Sequence, residues 1–497
     1  PQSEREQQLF AEMPKPDEWH LSCVTSLEQD CTIVVPPEST VISSADKRSL
    51  GQDIRYDDPV YTKQFAQITP PGLDNGPLRS HTEALAEPFG FDAGDILYSA
   101  LMDLPHLFPY FRNSWDVTVV SDGTSVFCIE SGDTRSRFFG LAFDIGTTSL
   151  VVSLVDLASR QILGEMCASN PQAIWGADVI ARIGHIQNDP QGLDQLRSAV
   201  LESLAEMVQK ICRQFDVNPL EVYAATFVGN TIMEHTLLGI SPEAIATLPF
   251  HPVFRHEWVG RAERIRLPIN PHGRVYVSPV VSGYVGGDTL AVILATDLDE
   301  RDELTLAIDL GTNGELALGH KNRIYACAAA AGPAFEGGRL RCGMRAVPGA
   351  ISSVRLGDDV EVTVLGDVDP IGICGSGLLD AVAEMVRLGI VEDSGAMARP
   401  SHGVSKSIAD RVIGEQEHAL EFLLTHDGQR PVRITQKDIR EFQLAKGAVR
   451  AGCEVMMEEM GCKPEDVQRV LVSGAFGTHL RAESIAYVGL LPKFPRE

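Results

Sequence analysis

Asp144, Gly146, Thr147 and Thr148 stand in the string FDIGTTS, and Asp309, Gly311, Thr312, Asn313 and Gly314 stand in AIDLGTNGE. In both strings an apolar run ends on an acidic residue and a glycine turn begins. Such a turn brings backbone N–H groups and hydroxyls close to a bound anion, because glycine has no Cβ to hold a ligand away. A carboxylate ahead of the turn would by itself repel a phosphate. The pairing makes sense if a hydrated Mg²⁺ lies between them, since that ion keeps much of its water shell. Two such turns facing each other would clasp a polyphosphate from both sides. Asp144 and Asp309 would then position the metal and the attacking water.

Each turn needs a strand hairpin to carry it. GLAFDIG, SLVVSLVDL and QILGEMC read as successive strands, and GLDQLRSAVLESLAEMVQKICRQF has apolar residues at helical spacing. VYAATFVGN then leads as a strand into a helix at TIMEHTLL, and the pattern restarts at LTLAIDLG. Its later landmarks are YACAAAAGPAFEGG, GICGSGLLDAVAEMV, the long helix DIREFQLAKGAVRAGCEVMMEEM and the strand-turn VQRVLVSGAFGTHL. The repeat is a duplication at domain scale, too long in period for a solenoid. Upstream, AGDILYSALMDLPHLF reads as a helix, and DVTVVSDG and TSVFCIESGD as two strands joined at Asp122-Gly123. The expected divisions are 1–40, then a linker and small α+β domain over 41–137, one half of the duplication over 138–300, and the other over 301–497, returning towards the first half near the end. The fold class is therefore α/β.

The 497 residues suffice for several cores, and 44% hydrophobic with 22% charged residues is an ordinary globular composition. A net charge of −26 disfavours nucleic acid as a partner, and no apolar run is long enough for a membrane helix. The ten cysteines form no C-x-x-C pair, and no secretory leader is evident, so a cytoplasmic location with reduced thiols is expected. His235, His251, His256 and His479 show no metal-ligand spacing.

Taken together, the two hairpins, two glycine-started helices and a final glycine turn resemble the acetate and sugar kinase, heat-shock chaperone and actin superfamily of ATPases (ASKHA). The resemblance spans 138–497 and implies two related, ribonuclease H-like subdomains closing on ATP and Mg²⁺. It places Gly474, Ala475, Phe476 and Gly477 of SGAFGTHL at the adenosine, Gly375 of GICGSG at the start of a connecting helix, and Gly332, Pro333 and Glu336 near the nucleotide.

GLAFDIGTTS, GPAFEGGRLRCGMRAVPGAI, GICGSGLLDAV and ITQKDIREFQLAKGAVRAG narrow the resemblance to the ATPase domain of reductive activators of corrinoid proteins. Members of that family carry an N-terminal plant-type [2Fe–2S] ferredoxin domain and return Co(II) cobalamin to Co(I). The resemblance implies a Co(II) corrinoid protein of a methyltransferase system as partner, a low-potential electron donor, and possible homodimerisation. EWHLSCVTSLEQDCTIVVPPES resembles the end of the ferredoxin domain, with Cys23 as the last cluster ligand. The C-x₄-C-x₂-C that a plant-type cluster also requires is absent from this sequence, so the sequence reads as starting inside that domain. Two other functions remain open. One is an acetate- or sugar-kinase-like phosphotransferase. The other is an activator of 2-hydroxyacyl-CoA dehydratases, in which Cys327 would help hold a subunit-bridging [4Fe–4S] cluster, with Cys342 and Cys374 as poor second candidates.

Overall fold

The computed structural model describes residues 60–71, 79–107, 114–311, 313–400, 403–414, 420–425, 431–473 and 480–494. Cys23, Thr312, Gly474, Ala475, Phe476, Gly477 and His479 lie outside these residues.

Strands β1 (Thr62–Ile68), β2 (Trp115–Ser121) and β3 (Val126–Ser131) form an antiparallel sheet in that order. The β2–β3 turn forms where Asp122-Gly123 predicts it. Asp122 Oδ1 accepts from the backbone N–H of Ser125 at 2.8 Å, and Gly123 sits at φ +80. Strand β1 escapes the sequence reading because TKQFAQI lacks apolar alternation; its pairing with β2 gives it its form. Helix α1 (His81–Ala86) and helix α2 (Tyr98–Leu107) cover the sheet, burying Leu85, Ala100 and Leu104 against Val117, Val119 and Val126.

This small unit is keyed onto the first half of the duplication. Lys63 is buried with an ion pair to Glu130 at 2.9 Å and also donates to the Tyr223 hydroxyl and the Arg137 carbonyl. Arg137 meets Glu221 in a two-pronged pair and Arg274 meets Asp122 at 2.7 Å. Phe127, Phe138 and Tyr223 pack between the two units. Removing one partner of a buried pair leaves an uncompensated charge, so such pairs fix the docking.

The first half contains β4 (Phe139–Ile145), β5 (Ser149–Asp156), β6 (Gln161–Ser169), helices α3 (Val179–Asn188) and α4 (Gly192–Gln214), β7 (Val222–Gly229), helix α5 (Thr231–Leu238), β8 (Trp258–Arg261), β9 (Arg274–Val277) and helix α6 (Gly287–Ala295). Its six-stranded sheet runs β6-β5-β4-β7-β9-β8; β4–β5–β6 are antiparallel and β4–β7–β9 parallel. Phe143 and Phe227 sit in register on β4 and β7 and stack at 4.5 Å. Helix α4 buries Leu196, Val200, Leu204, Val208 and Ile211, the stripe its periodicity predicts.

The second half repeats this order in a sheet β12-β11-β10-β19, built from β10 (Thr305–Leu310), β11 (Gly314–His320), β12 (Arg323–Ala329) and, far along the chain, β19 (Arg469–Ser473). The first three strands are antiparallel and β10–β19 is parallel, so β10, β11, β12 and β19 match β4, β5, β6 and β7. Between β12 and β19 the chain forms the sheet of β13 (Ala350–Leu356), β14 (Val360–Val364) and β15 (Gly372–Ile373), helix α7 (Gly375–Arg387), the small sheet of β16 (Val412–Ile413), β17 (Glu421–Leu423) and β18 (Arg433–Thr435), and helix α8 (Gln436–Met460). Thr435 and Asp438 close a capping box at the start of α8. Helix α9 (Ala482–Val488) follows β19. Val488, Leu490 and Leu491 pack into the second half's own core, where the sequence reading expected a return to the first half. Serine pairing fixes this course: Ser484 donates to the buried Asp380 on α7 at 2.6 Å.

Candidate functional site

The β4–β5 turn is braced from three directions. Asn170 donates to the Gly146 carbonyl at 2.8 Å, Asn230 donates to Thr147 Oγ1 at 2.9 Å, and the fully buried Arg182 donates to the Thr147 carbonyl. Arg182 also donates to Gly176 O at 3.0 Å and to Gln172 Oε1 at 2.9 Å, so among the described residues its charge is hydrogen-bonded by neutral acceptors. Burial accordingly lowers its pKa to about 10. Gly146 is required by the close turn: a Cβ there would lie 2.7 Å from Ser149 O.

Helix N-termini converge on the same place. Asn230 caps α5, Gly286 caps α6, and Cys374 occupies the cap position of α7. A Cβ at Gly286 would lie 2.3 Å from Gly229 O, so α5 and α6 start against each other. Helix N-termini present unsatisfied N–H groups and positive dipole ends, which suit an anion. Between them and the two hairpins lies a cavity of about 360 Å³, the size of a small-molecule site.

Five carboxylates line this cavity: Asp144, Asp288, Asp309, Glu315 and Glu336. Asp144 is open to solvent, yet crowding of its carboxyl by the cavity wall, and then the charges of Asp288 and Asp309, push its pKa up to about 7. Burial raises Asp309, with Glu336 adding to it. Burial followed by repulsion from Asp288 and Asp309 raises Glu315. Asp309 and Glu315 are direct cross-strand partners on β10 and β11, a placement of like charges that costs stability unless something neutralises them.

No three His, Cys, Asp or Glu side chains among the described residues converge closely enough to grip a metal directly. The crowded carboxylates instead fit a dication held through its water, which would relieve their repulsion without leaving its hydration shell. Asp144 and Asp309, at the ends of matching strands, are the residues that would hold it; the ion would screen phosphate charge and polarise water.

Of the residues singled out from sequence, Asp144, Gly146, Thr147, Thr148, Asp309, Gly311, Asn313, Glu336 and Gly375 line the cavity. Gly314, Gly332 and Pro333 do not, although Gly314 starts β11 and Gly332 takes φ +75 ahead of the turn that carries Glu336. His235 is a core residue: its Nδ1 lies 2.7 Å from Thr231 O and its Nε2 accepts from Val253 N at 3.0 Å. Cys327 packs against Gly452 and the buried Cys453 on α8, away from the cavity lining. Cys374 does line it.

Sequence reasoning missed Asp288, Glu315, Asn230 and Arg345. A signal existed for Glu315, because a hairpin with paired ends at Leu310 and Gly314 puts the next residue outward directly opposite Asp309. Asp288 follows two glycines at a helix start, a pattern common enough to pass unnoticed.

Two duplicated sheets of the same strand order, each delivering a glycine hairpin to one cavity, define the ASKHA class of α/β proteins. A family model described as the RACo middle region matches residues 139–301, and one described as the C-terminal domain of RACo, the ASKHA domain, matches 303–497. A solved structure described as a reductive activator for corrinoid, iron-sulfur protein superposes with a TM-score of 0.78 at 37% identity, over 88% of this chain and 70% of that one. The corrinoid activation enzyme RamQ of Eubacterium limosum is 34% identical over 76% of this chain. The [Co(II) methylated amine-specific corrinoid protein] reductase of Methanosarcina barkeri is 25% identical over 72% of this chain and 67% of its own length. The chain belongs to the family of reductive activators of corrinoid proteins. It spans 64% of the length of RamQ.

Proposed function

We propose that this chain is the ATP-driven part of a reductive activator, which helps return a Co(II) corrinoid protein to Co(I), a one-electron reduction. The observation that carries the reading is the placement of Asp144 and Asp309 on matching strands at one cavity. The likeness to RamQ and to the methylamine-specific reductase supplies the corrinoid side of the proposal.

The Gly146–Thr148 and Gly311–Asn313 turns receive the phosphates of ATP from opposite halves, and the N-termini of α5, α6 and α7 complete the anion site. Asp144 and Asp309 orient the attacking water on the terminal phosphate, a task of placement more than covalent chemistry. Bound nucleotide draws the halves together and hydrolysis lets them part, and that motion alters the grip on the corrinoid protein. The energy input is needed because Co(II)/Co(I) lies below the reach of ordinary cellular donors. The electron comes from a low-potential donor. The residues present do not fit a plant-type [2Fe–2S] cluster, whose C-x₄-C-x₂-C run is not found in this sequence. No described helix is long and apolar enough to cross a membrane.

The test is ATP turnover with and without a Co(II) corrinoid protein, with the Co(I) absorbance followed under a low-potential donor. Stimulated turnover with Co(I) formation is expected. A phosphorylated metabolite formed at the expense of ATP would replace this reading with the phosphotransferase one.

A further inference from the structure

Arg345 is the sole cationic side chain among the described residues lining the cavity, where five carboxylates also stand. Among the described residues it makes no ion pair. Its Nη1 donates to Ser169 Oγ at 3.1 Å, and its Nη2 reaches the Thr148 carbonyl at 3.5 Å, a distance at the edge of hydrogen bonding. Both partners are neutral, and both belong to the first half, whereas Arg345 is carried by the second.

The mount of Arg345 is firm. Met344 N donates to Ile373 O at 2.9 Å, tying the segment to β15, and β15 leads directly into the N-terminus of α7 at the cavity. Val347 N donates to Arg345 O at 2.8 Å and closes the turn around it. The backbone is thus anchored to one half while the guanidinium rests on weak acceptors of the other. A guanidinium presents a planar fork of donors that matches two phosphate oxygens, and a charge-assisted pair is about twice as strong as a neutral hydrogen bond.

We propose that Arg345 is a phosphate-binding residue that spans the cleft, exchanging Ser169 and Thr148 for oxygens of the nucleotide's phosphate chain and so tying the second half to whatever the first half's hairpin holds. The proposal rests on the nucleotide reading of the cavity. It makes one side chain report occupancy to both halves, because the same fork touches the Thr148 turn when no phosphate is there.

The test is calorimetric titration of the whole chain with ATP and, separately, with adenosine, both with Mg²⁺, for the unaltered protein and for Arg345→Ala, Arg345→Lys and Ser169→Ala. Expected are an ATP dissociation constant raised about tenfold to 100-fold by Arg345→Ala, partial recovery with Arg345→Lys, and unchanged adenosine binding throughout. Ser169→Ala should leave ATP affinity equal or slightly better, since it removes a competitor for the fork. Equal losses from Arg345→Ala and Ser169→Ala would mean a latch between the halves and overturn the proposal. So would loss of adenosine and ATP binding in parallel, or unchanged ATP binding in Arg345→Ala. Absence of ATP binding by the unaltered protein would overturn the nucleotide reading and this inference together, whereas unaltered binding by the variants removes this inference alone.

Discussion

The two hairpins match in strand order and differ in support. In the first half, Asn170, Arg182 and Asn230 hold the Gly146–Thr148 turn through its carbonyls and a hydroxyl, and Gly146 has no room for a Cβ. In the second half, no described side chain donates to the carbonyl of Gly311 or Asn313, and Gly311 N donates to Asn313 O at 3.0 Å across the turn. A Cβ on Gly311 would find its nearest neighbours at 3.7 Å. The second hairpin also carries a carboxylate the first lacks, since Glu315 faces Asp309 where Val151 faces Asp144. Among the described residues, one hairpin is therefore braced by more side chains, and the other carries the more crowded carboxylates. A ligand that brings positive charge would gain most from ordering the second.

The largest expected effect breaks the brace. Arg182→Ala would orphan the Thr147 and Gly176 carbonyls and Gln172 Oε1 in a fully buried place. At about 1–3 kcal/mol per orphaned group, a loss of about 3 kcal/mol or more is expected, visible as a lowered denaturation midpoint. A change under about 1 kcal/mol would mean the first turn is not held as described.

Next come the carboxylates themselves. Asp144→Asn and Asp309→Asn should each lower ATP turnover about 100-fold, the scale of losing one fixed electrostatic partner of a transition state. Asp144→Asn should also raise the melting temperature of the unliganded protein, because it removes a repulsion that exists to serve a ligand. Turnover unchanged in Asp309→Asn would count against the second hairpin's part in the site. A smaller contrast tests the turns. Gly146→Ala should weaken ATP binding about tenfold, since Ser149 O stands 2.7 Å from the new Cβ, while Gly311→Ala should change it less than about threefold. Equal effects would erase the asymmetry.

The same contrast explains what the sequence could and could not tell. Asp144 and Asp309 were legible because short motifs at strand ends carry their chemistry locally, and the helices over 192–214 and 436–460 because amphipathic periodicity is also local. The braces were not. Arg182 sits on α3, some distance from the turn it holds, and looks in sequence like any arginine on a helix. Arg345 and Asp288 reach the cavity only because β15 and the start of α6 are folded against it. Strand β1 lay hidden for a related reason, since its partner β2 follows a helical interval. The end of the chain was misplaced because the packing of α9 depends on Asp380, a residue that nothing nearby in sequence marks as buried.

Proton linkage separates cavity from core. Asp144 titrates near 7 in the folded protein, above an unfolded value of about 3.9. The folded state therefore binds more protons than the unfolded one between those values, and the stability of the unliganded protein falls as pH rises through them. Glu234 behaves likewise for a different reason. It is fully buried, accepts from Ser278 Oγ at 2.8 Å, and is pushed up to about 9 chiefly by burial. Melting temperature should thus drop between about pH 5 and 9 in the unliganded protein, with Asp144 contributing up to about 7 and Glu234 up to about 9. Mg²⁺ with nucleotide should shrink the drop by neutralising Asp144 and its neighbours, leaving a residue that Glu234→Gln removes. A drop insensitive to Mg²⁺ and nucleotide but abolished by Glu234→Gln would place the whole effect in the core and deny the cavity its unsatisfied charge.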